Sequence, residues 1–384
     1  MEKREIKFGE LKIGEKADEY WQKIKDTNWV SLGPRVEEFE QKFAKLFGVK
    51  YAIAVSNGTD ADINALLTLY ETHNAKLGDE IICPALCFFS VASSIIAAGF
   101  KPVFVDIDPH TLNINPYKIE SKITSRTKGI LAVNTMGKPV YIEPLKYITK
   151  KHKLAFIIDN AEGHGCQYLD CYMEEYGDIV TYSCYQAHLI QSVEFGFCCT
   201  NDDKIASILR CTRTHGRKDG NNDFNHIYLG YNSKPSDLHS IIGLSQIDKF
   251  WDRFHKRSQN VYTIRDGLCG YEHLMMFSEE EKHYINSPHA FSITLADKEY
   301  DIGRFKRHLT EYGIHWKLNF LCIPTQQEGI RKLMPPNLQN KYPMAEWVGE
   351  LGIHFGCHEH LTEEDCQYIV NVVKMYFDKE MWRK

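Results

Sequence analysis

Apolar positions recur along the chain with two periods, and the two periods alternate. "GPRVEEFEQKFAKLFG" sets Pro34 early, puts Val36, Phe39, Phe43 and Leu46 at helical spacing and closes at Gly48, which predicts an amphipathic helix. Five short runs that are apolar on both faces follow: "KYAIAV", "DEIICP", "KPVFVDID", "KGILAVNTMG" and "KLAFIIDNA". Helix-period segments are interspersed: "GTDADINALLTLY", "FFSVASSIIAAG" and "YIEPLKYITKKHK". Strands apolar on both faces and spaced by helices predict an α/β fold with a mostly parallel sheet covered on both sides. Ligands in such sheets sit beyond the carboxyl ends of the strands.

From Pro235 the pattern "PSDLHSIIGLSQIDKFWDRFHKRSQNVYTI" predicts one long helix bridging into a second lobe. The expected division is a large domain over 1–250, including an N-terminal arm, and a smaller C-terminal α+β domain over 251–384. Its last helix opens at Thr362 with Asp365 three positions on, a variant of the capping box.

A chain of 384 residues is too long for one small core and suits two lobes. Its net charge of -5 argues against a nucleic-acid partner, which would want a basic face. "MEKREIKFGELKIGEKADEY" is charged throughout, unlike a signal peptide. The most apolar window, "LCFFSVASSIIAAGF", covers fifteen residues and is too short and too polar to span a membrane. The twelve Cys lie mostly in apolar runs without a CxxC, as expected of reduced, buried thiols in a cytoplasmic protein. "HFGCHEH" holds His354, Cys357, His358 and His360, but no patterned second ligand pair accompanies it, and no metal is expected.

Four clusters fall at strand ends or helix starts. "SNGTD" offers Asn57, Gly58 and Thr59 at a helix start, whose free N–H groups favour an anion; a plain helix cap has the same pattern. In "PALCFFSVA", Phe88 follows a strand and could stack on a planar cofactor or pack in the core. In "FIIDNAEGHG", Asp159 ends an apolar strand and needs a cation or hydrogen-bond donors; Glu162 follows within a turn. A protonated pyridine nitrogen would serve Asp159, and so would a neighbouring helix start. In "TYSCYQAHLIQSVEFGF", Ser183 could donate to a phosphate, and His188 could move a proton or be structural. No Lys occurs between Lys153 and Lys204.

In order and spacing, from about residue 15 to 380, these clusters make the chain resemble the sugar aminotransferase family of fold-type I pyridoxal phosphate enzymes. "SNGTDA", "PALCFFSVASSI", "FVDID", "IIDNAEGHG" and "YLGYNSKPSDLHSIIGLSQIDKF" carry the resemblance. It implies a large domain with a seven-stranded, mostly parallel sheet and a homodimer with shared sites, Asn232 reaching the cofactor phosphate of the partner. In most of this family the position of His188 is a Lys that bonds to the cofactor. Members with His there are 3-dehydratases of nucleotide-linked 4-keto-6-deoxy sugars, and the resemblance is greatest to those acting on a GDP-linked sugar. It implies pyridoxamine phosphate held noncovalently, His188 moving protons, Asp159 keeping the pyridine nitrogen protonated, loss of the C3 hydroxyl, and glutamate restoring the amine. Products of this chemistry are dideoxy sugars of the kind built into O-antigen or capsule.

A relative with the same replacement, acting on a CDP-linked sugar, carries an iron–sulfur cluster on closely spaced Cys. Residues 212–268 contain no Cys, so no cluster is expected. Phe195 and Phe197 are bulkier than the family's Gly-rich turn, Gln186 precedes a single His, and Lys317 stands where many relatives have Arg. These departures leave a heptose substrate open. His215 in "RTHGR" is a candidate for substrate or donor binding. An ordinary sugar aminotransferase, against which the missing Lys counts, and a catalytically silent binding protein are the alternatives.

Overall fold

A computed structural model describes residues 3–218, 224–277, 281–335, 337–338 and 341–379. Its strands in chain order are β1 Tyr51–Val55, β2 Glu80–Pro84, β3 Lys101–Val105, β4 Thr127–Val133, β5 Ala155–Asp159, β6 Gln167–Tyr168 and β7 Cys171–Tyr172, followed by β8 Ile179–Ser183, β9 Gly196–Thr200, β10 Met275–Phe277, β11 Tyr284–Ile285, β12 Phe291–Leu295, β13 Trp316–Leu318 and β14 Gly352–Phe355.

Seven strands form the main sheet in the order β1-β9-β8-β5-β4-β2-β3. All neighbours are parallel except those of β9, which runs against β8 and β1. The connection 184–195 contains no helix, so the chain turns back alongside β8 instead of crossing over. That connection leaves the carboxyl end of β8 and carries His188.

Successive residues of the central strands face opposite cores. Leu131, Val133, Ala155 and Ile157 join Ala61, Leu66, Val91 and Ile95 on one side. Ile130, Ala132, Phe156 and Ile158 join Phe39, Phe43, Ile142 and Leu145 on the other. The helix Pro34–Phe47 buries Val36, Phe39 and Phe43 as expected, but Phe47 rather than Leu46 completes the stripe. Phe43 stacks on Phe197 at 4.0 Å between ring centroids, and Phe47 on Tyr182 at 5.5 Å.

The expected single helix from Pro235 is two helices, Asp237–Gln246 and Phe250–Gly267, separated by a tighter turn over Ile247–Lys249. The buried positions explain the break. Ile241, Leu244, Ile247 and Phe250 fall every three residues, the period of a 3₁₀ turn, and helical spacing resumes with Phe254 and Arg257.

A second, antiparallel sheet has the order β10-β12-β14-β13. Its core includes Ile293, Ile353, Phe305 and Val373, from the helices Ile302–Glu311 and Glu363–Asp378, and takes in Ile6 from the N-terminal arm. The Thr362 hydroxyl accepts the Asp365 N–H, and the Asp365 carboxylate accepts the Thr362 N–H, so the capping box is formed. A third, small sheet joins β11, β6 and β7. No helix among the described residues is long and apolar enough to cross a membrane.

Candidate active site

The carboxyl ends of β1, β5 and β8 open onto a cavity of about 610 Å³. Its lining includes Asn57, Gly58, Thr59, Phe88, Asp159, Glu162, Ser183 and His188, eight of the residues singled out in the sequence. Asn232 and His215 do not line it.

Asp159 ends β5, and its Oδ1 accepts the N–H of Ala161 at 3.0 Å. Burial pushes its carboxyl up to about 6, since water no longer stabilises the charge. Asp62, which the sequence did not flag, lies on the cavity wall at 2% exposure and accepts the Thr181 hydroxyl at 2.6 Å. Burial and, second, the charge of Asp159 hold its carboxyl well above the usual range. Among the described residues no cation pairs with either acid, so this end of the cavity calls for a positively charged guest.

Asn57 is a helix cap on the cavity wall. Its Oδ1 accepts the Asp60 N–H at 2.9 Å and starts the helix Gly58–Leu67, whose first N–H groups border the cavity. A Cβ on Gly58 would lie 2.6 Å from Cβ of Ser183, so a glycine is what lets the helix start approach the end of β8. Phe88 is not a core residue: it is 62% exposed, lies on the cavity wall, and meets Phe320 edge-on at 6.1 Å.

His188 is buried, and its Nδ1 lies 2.7 Å from the carbonyl oxygen of Ser183. A carbonyl only accepts, so Nδ1 carries the hydrogen and the Nε2 lone pair is left for the cavity. Burial lowers the pKa of this imidazole to about 4, helped by Arg257 and Lys317. It is a neutral base at pH 7. The rings of His289, Tyr185 and His164 stand 5.3, 5.8 and 5.9 Å from it. Glu162 accepts the Met136 N–H at 2.7 Å and lies 3.3 Å from His289 Nε2; burial moves its carboxyl up to about 7.

Further wall residues come from the N-terminal arm and from the C-terminal part of the chain. Phe8 of the N-terminal arm meets His354 edge-on at 5.2 Å, and Lys317 Nζ lies 4.0 Å from the Phe8 ring centroid. Lys317 is the lysine on the cavity wall. Asn232 and His215 lie together outside: the His215 N–H donates to Tyr231 O at 3.0 Å, and Thr214 bridges Asn232. Both are exposed, yet the segment abuts the "SNGTD" turn, where the Tyr231 hydroxyl donates to Asp60 at 2.6 Å. Among the described residues no two of the twelve Cys are joined in a disulfide. His354, Cys357, His358 and His360 form no group arranged to hold a metal among the described residues.

A mostly parallel seven-stranded sheet with helices packed on it and a second, antiparallel sheet is the architecture of a fold-type I pyridoxal phosphate transferase. The chain belongs to the DegT/DnrJ/EryC1/StrS aminotransferase family, whose model matches residues 11–374. These are pyridoxal-phosphate-dependent enzymes that modify sugars. The chain is 28% identical to a GDP-4-keto-6-deoxy-D-mannose 3-dehydratase of Yersinia pseudotuberculosis, over 92% of this chain and 94% of that one. It is 30% identical to a GDP-perosamine synthase of Escherichia coli O157:H7, over 95% and 96%. Among solved structures, the E. coli GDP-4-keto-6-deoxy-D-mannose-3-dehydratase with bound hydrated PLP superposes with a TM-score of 0.84 at 25% identity, covering 97% of this chain and all of that one (100%).

Proposed function

We propose that the chain is a C3-dehydratase of a nucleotide-linked 4-keto-6-deoxy sugar, GDP-linked, working with pyridoxamine phosphate that glutamate regenerates. The observation that supports this reading is His188, a neutral imidazole on the cavity wall with Nε2 unused by Ser183, at the position where the resemblance implies a lysine in the family's aminotransferases. The similarity to two GDP-sugar enzymes supports the nucleotide.

The cavity fits the cofactor. A buried acid pair without a cation suits a protonated pyridine, and the Gly58 cradle suits a phosphate. When bound, pyridoxamine phosphate supplies a primary amine for a sugar ketone and a ring that takes up electrons. The chain does the rest. Asp159 holds the proton on the ring nitrogen. Asn57, Gly58, Thr59 and Ser183 bind the phosphate, and Phe88 covers the ring and keeps water out. His188 Nε2 accepts a proton and returns one to the C3 hydroxyl, a poor leaving group that departs as water only with an acid's help. Lys317 meets the anionic groups of the donor or the nucleotide. In this reading Asn232 completes the partner's site in a homodimer, His215 beside it is within reach of that site's ligands, the two domains divide near residue 250, no iron–sulfur cluster takes part, and the enzyme works in the cytoplasm on sugars destined for surface polysaccharide.

The relative named GDP-perosamine synthase favours a second reading, amino transfer to the sugar, for which Lys317 would have to supply the amine. Incubation with GDP-, CDP- and dTDP-linked 4-keto-6-deoxy sugars, PLP and glutamate separates the readings by mass spectrometry. The dehydratase gives a nitrogen-free sugar lacking one oxygen, the aminotransferase an amino sugar, and a silent binding protein no product.

A further inference from the structure

Two arginines one helical turn apart converge on the turn that carries His188. Arg257, only 1% exposed, donates from Nη1 to the carbonyl of Ala187 and from Nη2 to that of His188, each at 3.3 Å. Arg253 donates from Nη1 to the carbonyl of Leu189, also at 3.3 Å. Glu359 binds the pair, 2.7 Å from Nε of Arg257 and 3.9 Å from Nε of Arg253. Three consecutive backbone carbonyls of a buried, helix-free turn are thus capped by one charged cluster. Glu359 belongs to "HFGCHEH", so the acid of that motif is a counter-charge to arginine.

A turn of this kind has no ladder of its own to hold it, and buried carbonyls without donors are costly. A guanidinium offers donors in a rigid fork that spans neighbouring carbonyls, which an ammonium cannot match. With Nδ1 held by Ser183 and the backbone held by Arg257, the imidazole is fixed from both ends and Nε2 has one direction open.

We propose that Arg253, Arg257 and Glu359 are positioning residues that set the place of the His188 ring from the C-terminal part of the chain. This rests on the reading of His188 as proton carrier. Charged and titratable groups facing that ring are Arg257 behind the turn, Lys317 across the cavity, and His164, His289 and Tyr185 around it. Arg257 therefore also favours the neutral imidazole.

The test is the paired variant Arg257→Gln with Glu359→Gln, which removes both members of the closer ion pair together and leaves Arg253 its hydrogen bonds to Gln246 and Leu189. Two readouts are taken: titration of His188 by NMR on histidine-labelled chain without substrate, and steady-state kinetics on the keto sugar. In the paired variant the titration moves up toward the ordinary histidine value, and kcat falls about 100-fold with little change in KM, the effect of a misplaced catalytic group. Arg257→Lys keeps the charge and loses the fork, so its titration stays low while kcat still falls. Unchanged titration, or a fall in kcat matched by loss of folded chain, overturns the proposal. If the paired variant does not fold, Arg253→Gln decides: about a tenfold lower kcat supports the clamp and an unchanged kcat refutes it. Because titration is read without substrate, it stands apart from whether the chain is a dehydratase.

Discussion

The Nδ1–H of His188 donates to the carbonyl oxygen of Ser183, five residues earlier, at 2.7 Å. This bond ties the imidazole to the strand end that also borders the helix start at Gly58, and it fixes which ring nitrogen is left for the cavity. On the proposed reading the side chain at 188 is a base with no covalent role. His188→Lys restores a primary amine at that point. It is expected to give a borohydride-trappable cofactor adduct at residue 188 and to abolish dehydration, read by peptide mass spectrometry and product assay. Wild-type protein treated the same way should show no adduct at Lys317.

Burying a neutral imidazole makes stability depend on pH. The folded pKa of His188, about 4, lies below the ordinary value near 6.5. Its contribution is therefore present above pH ~6.5 and is lost as pH falls toward 4, by about 3 kcal/mol in full. Asp159 and Glu162, raised by burial, act in the opposite sense, losing stability as pH rises through their folded values. Comparing wild type with His188→Gln in denaturant melts at pH 7 and 4.5 isolates the histidine: the gap should shift in favour of the variant at the lower pH.

Asp159 is expected to govern cofactor affinity. Removal of its charge by Asp159→Asn should raise the Kd for pyridoxal phosphate about 10–100-fold, the worth of a charged hydrogen bond. In the wild type, affinity should fall as pH drops through about 6, because the carboxyl then takes up its own proton. Absorbance titration at several pH values checks both.

Most of the cofactor end of the cavity was legible in the sequence, because strand-to-helix junctions are local. "SNGTD" and "IIDNA" each place a polar group at the end of an apolar strand, and both junctions open on the cavity. Asp62 escaped because it sits two residues beyond the motif, inside a helical pattern where a polar residue reads as solvent-facing; its neighbour across the packing is Thr181, 119 residues on. Phe8, His289 and His354 meet around Lys317 only through the packing of the N-terminal arm and the second sheet on the first. No local spacing encodes that convergence. The break at Ile247–Lys249 was missed for another reason: one apolar stripe served two periods.

Gly58→Ala tests the cradle. The added Cβ would crowd Cβ of Ser183 at 2.6 Å and push the helix start from the strand end. Overpacking of this kind costs about 1–3 kcal/mol. Loss of pyridoxal phosphate affinity by about tenfold or more is expected, with a smaller drop in the melting temperature of the cofactor-free chain.

The most direct measurement is a crystal structure of the protein with pyridoxamine phosphate. The account predicts His188 Nε2 within about 3.5 Å of the cofactor's exocyclic carbon, near-attack distance, with no covalent link between cofactor and chain. An imidazole turned away from that carbon, or electron density joining the cofactor to Lys317, would contradict it.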